Sequence, residues 1–316
     1  MTDRGTAAIA DFFDEELAPM VRRMADRPRT GAEDGEDGRE IRSMVWQGLV
    51  GLGALDEPDG TRVAELLGSV LYQGPLLDTL TARELFPDGG VGHSPVALAV
   101  SDEPLTAGGD SITARRSFVG FATEVDHFVV GGAGDDGTSL ALVPADHPSI
   151  QVRRHEETGR GEAYEVEFAD TPVTAWAGSA EWGPALATAR VRQAAYLVGL
   201  SQAALDHAVE YAKARRQFGQ PIGKFQGVAF RLSELSMHVD ATRLLVHDRD
   251  AVAHAAAVLA AAAELALRLT VQTMQVNGAA GMVSDNDAQL YYRRAAVESV
   301  RLGTPSRLRR DGRGTP

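Results

Sequence analysis

The stretch from residue 179 to 302 limits the fold more than any other part of the chain. Apolar residues recur there at helical spacing, alanine dominates its middle, and only scattered glycine, proline and asparagine residues interrupt it. The spacing predicts helices over about Trp182–Phe218, Phe225–Asp250, Ala251–Val276 and Asp287–Leu302. Long helices joined by short turns bury their apolar faces against one another, which implies a four-helix bundle. The last residues, RLRRDGRGTP, are basic and glycine-containing and read as a frayed tail.

Upstream the period changes. VALAV, SFVGFA, HFVVGG, SLALVPA, SIQVRR and YEVEFA are short runs rich in β-branched and aromatic residues, separated by Gly, Asp and Pro turns. They predict a small antiparallel sheet or barrel, and parallel βαβ units are not expected because no long helix lies between them. Residues before 96 are helical in pattern. Ile9, Phe12, Phe13, Leu17 and Met20 share one spacing, TGAEDGEDGRE reads as a loop, and further helices are expected over about Ile41–Gly51 and Thr61–Tyr72. The expectation is an α+β multidomain protein: a helical domain at 1–95, a β-domain at 96–178 and a helical bundle with a basic tail at 179–316.

Charge and composition exclude several functions. A net charge of −13 and a pI near 5.1 argue against a nucleic-acid partner, whose phosphates need a basic face. The absence of cysteine excludes disulfides, thiolate metal sites and a cysteine nucleophile. The acidic start MTDRGTAAIADFFDEELAP lacks the pattern of a signal peptide, and Ala251–Ala263 is too short to span a bilayer, so no membrane association is expected and the reading is cytoplasmic.

Most small motifs resolve into structure. Gly132, Gly134 and Gly137 match GxGxxG, but a strand follows where a phosphate site needs a helix, so a glycine-rich hairpin is expected. The histidines form no compact ligand set, although His247 and His254 could share a helical face. No GxSxG elbow is present. RRQFGQPIGKFQ, residues 215 to 226, reads first as punctuation: a helix ends near Phe218-Gly219, Pro221 turns the chain, and a helix begins near Phe225. That does not explain why Gln217, Phe218, Phe225 and Gln226 occur together.

With this segment the chain resembles the acyl-CoA dehydrogenases, whose signature is R-x-x-F-G-x-P-I-x-x-F-Q. QVNGAAGM, residues 275 to 282, resembles the family's Q-x-x-G-G-x-G, and Ser101-Asp102-Glu103-Pro104 resembles the T-E-P segment that opens its β-domain. DFFDEELAP and LVGLGALDEPDG are similar to its opening helix and its L-G-L-x-x-P turn, and the N-terminal domain looks shortened.

The resemblance implies FAD, held between the β-domain and the bundle with its adenosine half crossing a dimer interface. Arg215 would pair with a pyrophosphate, Gln217 and Phe218 would line the same site, and Gln275, Gly278 and Gly281 would let backbone approach the adenosine half. Ala279 replaces one glycine of that motif, and Thr304 matches a threonine that faces FAD. The flavin-ring side departs further. Asp102 stands where the family has threonine, and Phe118-Val119-Gly120 replaces Trp-Ile-Thr/Ser, keeping an aromatic face and losing a hydroxyl.

The family's catalytic glutamate precedes a Gly-Thr pair, which places Leu302 at the base position. A minority of members carry the glutamate on the first bundle helix, which here is Ala189, followed by Arg190 as the substrate-binding arginine. Neither Leu302 nor Ala189 takes a proton. Glu298 lies one turn before Leu302 and is the remaining candidate within this chain. The ending R-L-G-T-P-S-R-L resembles the shorter, base-lacking subunits of actinobacterial heteromeric acyl-CoA dehydrogenases of the steroid side-chain type. The resemblance therefore implies an acyl-CoA thioester substrate and a second family subunit, in a heterodimer or heterotetramer, that supplies the glutamate. The alternatives are a homo-oligomer with altered chemistry on a CoA- or carrier-bound acyl chain, or a catalytically silent scaffold subunit.

Overall fold

The computed structural model describes residues 36–56, 60–88, 90–134, 137–155, 163–283 and 286–312. The helix expected around Ile9–Met20 lies outside them. The described residues form two compact units, one from those up to Tyr72 together with those from Arg190 onward, and one from those between Gln73 and Ala189.

The first unit is helical. It contains α1 (Glu36–Gly51), α2 (Thr61–Ser69) and, from the C-terminal part, most of α4 (Ser179–Ala214), with α5 (Gln226–Val246), α6 (Ala255–Asn277), α7 (Asp287–Glu298) and α8 (Pro305–Asp311). The second unit begins with α3 (Leu76–Leu85), which the sequence reading did not anticipate. α1 begins at Glu36, inside the glycine- and acid-rich run expected to be loop.

Leu197, Leu200, Leu259, Ala263 and Leu269 are fully buried in the helical unit. The small residues of α6 allow neighbouring helices to approach closely, and helical stability comes from such packing rather than from propensity alone. The stretch Val252–Met282 is long and apolar enough to cross a membrane by composition, so the apolar run extends beyond Ala251–Ala263. Of its most apolar window 56% is buried inside the structure, as for a core helix.

The crossing of α2 and α4 depends on two glycines. A Cβ on Gly68 would lie 1.9 Å from the Tyr196 carbonyl oxygen, and one on Gly199 would lie 1.9 Å from that of Glu65. Both obstacles are backbone, so the helices must separate to admit a methyl group. Gly68→Ala is expected to destabilise the protein by about 1–3 kcal/mol despite its better helix propensity. Urea unfolding checks this; a stabilised Gly68→Ala protein would show that the close crossing does not exist.

Within the stretch expected to fray, the described residues up to Asp311 belong to α8. Thr304 caps α8 by accepting a hydrogen bond from the Arg307 N–H at 3.4 Å, Pro305 takes the first turn, and Leu308 is fully buried.

Among its described residues the second unit holds two four-stranded sheets and no closed barrel. One has the order β1-β4-β5-β8 and the other β2-β3-β7-β6, with β1 (Val96–Pro104), β2 (Thr106–Gly108), β3 (Ser111–Gly120), β4 (His127–Gly134), β5 (Gly137–Pro144), β6 (Ile150–Arg154), β7 (Ala163–Pro172) and β8 (Ala175–Ala177). Ala97, Ile112, Phe128, Ala141, Val166 and Phe168 form a shared core. Phe128 and Phe168 meet edge-on, with centroids 5.5 Å apart. The expected antiparallel arrangement holds except that β1 pairs with β4 in parallel. The crossover is made by β2 and β3, which belong to the other sheet, so no intervening helix is required. The GxGxxG segment is a hairpin, with Gly134 opposite Gly137.

Candidate active site

The signature segment after α4 is a β-hairpin rather than a helix end. α4 stops at Ala214, short of the expected Phe218. Arg216–Gln217 (β9) then pairs with Gln220–Pro221 (β10) around Phe218 and Gly219, whose φ angles are 49° and 82°. Positive φ at both central residues is the two-residue hairpin turn that matches strand twist. It also turns its side chains outward: Arg215 and Gln217 are exposed, and Phe218 is 93% exposed. Phe225, at the start of α5, meets the Phe218 ring edge-on at 6.2 Å. The Ile222 N–H donates to the Arg215 carbonyl at 2.8 Å and holds the hairpin against the helix end.

QVNGAAGM closes α6. Gln275 accepts from Arg231 of α5 at 3.1 Å. Gly278 has φ 59°, and an added Cβ there would meet nothing within 4 Å, so its backbone faces open space. Gly281 is different in kind: an added Cβ would lie 2.9 Å from the Asn277 Cβ, which makes it a packing glycine. Asn286 secures the following turn, accepting from Ala288 N–H at 2.8 Å and lying 3.1 Å from His207 Nε2. His247 Nε2 lies 2.6 Å from Glu65 Oε2.

α7 ends at Glu298 rather than Leu302. Leu302 sits at φ 58° and Gly303 at φ 133°, so the chain reverses before α8. A Cβ on Gly303 would press on Leu308 at 3.0 Å. Arg190 grips this turn, its Nε donating to the Leu302 carbonyl at 3.2 Å and its Nη2 donating to Asp311 Oδ2 at 2.9 Å. Leu302 is partly buried, and Ala189 is buried.

Glu298 is 5% exposed and both of its carboxylate oxygens are engaged. Arg294 Nη2 donates to Oε1 at 2.5 Å, Gln193 Nε2 donates to Oε2 at 3.0 Å, and Arg301 Nη1 lies 3.7 Å from Oε2. The same Gln193 nitrogen donates to the Glu298 carbonyl at 3.0 Å. Burial pushes this carboxyl up, but the Arg294 charge, then Arg301 and the hydrogen bonds, outweigh burial and hold it below its ordinary value. Arg294 and Glu298 stand four apart on one helix, a spacing visible in the sequence; Gln193, on another helix, was not.

In the β-unit, Phe118 is 73% exposed at φ 59° and stacks on His155 with centroids 5.0 Å apart. It lies in a bulge: Arg116 pairs with Val166 and Val119 with Tyr164, so Ser117 and Phe118 together face Glu165 alone. A bulge re-aims side chains, which is how an aromatic ring on a strand reaches the surface here. Gly120 follows, and Asp102 is exposed on β1.

Comparison with known proteins places these features. Residues 182–311 match the model of the acyl-CoA dehydrogenase C-terminal domain. A probable acyl-CoA dehydrogenase, YngJ, of Bacillus subtilis is 31% identical over 246 residues, covering 71% of this chain and 64% of the relative. A 3-sulfinopropanoyl-CoA desulfinase of Paraburkholderia xenovorans is 34% identical over 214 residues, covering 60% of this chain and 55% of that protein. The chain thus spans less than two thirds of these relatives. Among solved structures, the ChsE4-ChsE5 complex of Mycobacterium tuberculosis superposes with a TM-score of 0.79 at 25% identity, covering 96% of this chain and 97% of that one. The α+β architecture, the signature hairpin and these similarities agree: the chain belongs to the acyl-CoA dehydrogenase family.

Proposed function

We propose that this chain is one subunit of a flavin-dependent acyl-CoA dehydrogenase whose proton acceptor comes from a second, related chain. The observation that carries this is the state of the base positions. Leu302 and Ala189 have no proton acceptor, and the nearby carboxylate, Glu298, is buried with both oxygens committed. Removal of an α-proton needs a carboxylate within hydrogen-bond reach and with an available lone pair.

The residues fit FAD unevenly. In the helical unit, Arg215 offers a planar fork suited to pyrophosphate, Gly278 leaves its backbone open to close approach, and Phe218 presents an aromatic face. Gln217, Gln275 and Thr304 are the remaining polar candidates, and Gly281 packs the turn that carries Gly278. In the β-unit, Phe118 offers an aromatic face, Gly120 offers no hydroxyl, and Asp102 places an anion where a negatively charged reduced ring is disfavoured. Bound FAD supplies the hydride acceptor. This chain's own part is to hold the adenosine half and, through Arg190, to fix the 302–304 turn and orient the acyl-CoA thioester.

A partner is supported by the outward face of α5. Phe230, Met237 and Leu244 are exposed by 68%, 65% and 75% and lie seven residues apart, while Leu232, Leu235 and Val239 fill the opposite, buried face. A helix apolar on both faces has one face too many for a lone chain. The heteromeric form of the ChsE4-ChsE5 neighbour supports the same reading.

The test is the visible spectrum of the chain purified alone and after co-expression with a related chain that carries the glutamate. The expected result is little or no flavin band alone and a yellow, active complex together. Full flavin loading and dehydrogenation by the chain alone would overturn the proposal. A second reading, altered chemistry on an acyl-CoA in a homo-oligomer, is favoured by the relative named for desulfination. It expects flavin binding and turnover of a CoA thioester without a partner.

A further inference from the structure

Arg116 is a charged side chain buried inside the β-unit. Strand alternation places it on the inner face of β3 after Ile112 and Ala114, and it is 2% exposed. Its Nε donates to the Gly131 carbonyl at 3.0 Å, Nη1 to the Arg115 carbonyl at 2.8 Å, and Nη2 to the carbonyls of Glu103 and Pro104, each at 3.2 Å. Nη1 also lies 3.8 Å from the exposed Glu103 carboxylate. Burial pulls this guanidinium below its ordinary value, with Glu103 opposing. A buried cation held mainly by neutral carbonyls is not how a core is made most stable.

Its position explains the arrangement. The β1–β4 ladder runs from Val96 to Val100, then breaks, and resumes only where Pro104 meets Ala133. The break leaves backbone carbonyls in need of donors, and Arg116 supplies them. The same arginine opens the β3 bulge that carries Phe118. Room for it comes from Gly132, where a Cβ would lie 2.4 Å from Arg116 Nη2 and 2.4 Å from the Glu103 carbonyl oxygen. The first glycine of the GxGxxG match thus makes space for a guanidinium rather than a phosphate.

We infer that Arg116 is a positioning residue that sets, through one buried guanidinium, the geometry of both the Ser101–Pro104 segment and the Phe118 bulge. For its effect on flavin, this rests on the reading that the β-unit meets the flavin ring. Arg116→Met removes the donors, Arg116→Lys keeps charge without the fork, and Gly132→Ala displaces the guanidinium while leaving it in the chain.

Each variant is measured as the full chain, co-expressed with its partner. Amide hydrogen exchange reads the geometry; the flavin absorbance band and midpoint potential read its consequence. In Arg116→Met, exchange at residues 101–103 and 117–120 is expected to rise about tenfold or more, with residues 128–130 and 140–143 unchanged. The flavin band and potential shift with it, and Arg116→Lys falls between. If Arg116→Met does not fold, Gly132→Ala is expected to show the same local pattern. Unchanged exchange, or a uniform rise across both sheets, overturns the positioning role. A local rise with an unaltered flavin band and potential overturns the flavin role, and with it the reading of this face, while leaving the geometry standing.

Discussion

Replacing the glutamate of the co-expressed partner chain is expected to lower turnover of the complex by about 10²–10⁴-fold, the usual contribution of a positioned general base. Leu302→Ala in this chain is expected to leave turnover within about twofold, because a leucine side chain contributes no proton transfer. The contrast is decisive because both substitutions fall at the same family position in two different chains. Steady-state rates for the two complexes, each checked for flavin content, make the comparison. Equal loss from both would mean that Leu302 shapes the pocket; no loss from the partner's glutamate would remove the heteromeric mechanism.

Glu298 carries the second large expected effect, and it is on stability. Glu298→Gln keeps the shape and a hydrogen-bonding oxygen but removes the charge facing Arg294, which is itself 3% exposed. Leaving one member of a buried pair uncompensated costs about 3–5 kcal/mol. Replacing both, as Glu298→Leu with Arg294→Met, is expected to recover most of that, and a double-mutant cycle by chemical unfolding measures the difference.

The pH dependence follows from the same geometry. The folded carboxyl titrates below its ordinary value of 4.5, so the folded state binds this proton less readily than the unfolded chain. The pair's stabilisation is complete above about 4.5 and is lost as pH falls through the lower, folded value. Glu298→Gln should therefore unfold less steeply with acid than the parent protein. Retained stability with turnover abolished would instead make Glu298 the base.

Much of the architecture was legible in the sequence because periodicity reports burial. The 3.6-residue spacing of 179–302 and the alternation of 96–178 each follow from which side chains must leave water. The hairpin at 216–221 reads as a helix end in the sequence because glycine and proline punctuate both; the pairing of Arg216–Gln217 with Gln220–Pro221 distinguishes them. α8 was missed because seven residues carry little periodic signal, although Thr304-Pro305 is a helix start in plain view. Strand alternation places Arg116 inside the β-unit, but no local pattern says which carbonyls it meets.

The sequence by itself determined the family pattern, the strand and helix zones, and the absence of a carboxylate at positions 302 and 189. Those are properties of residue type and spacing, which need no coordinates. Only the tertiary structure decided the state of Glu298, the grip of Arg190 on Leu302, and the two bulges joined at Arg116. Each of those joins residues that are far apart in the chain or depends on how deeply a charge is buried. Gln193 is one turn of one helix and Glu298 the end of another, and no local pattern records that they meet. A carboxylate's availability as a base is set by its neighbours in space, and those come from packing.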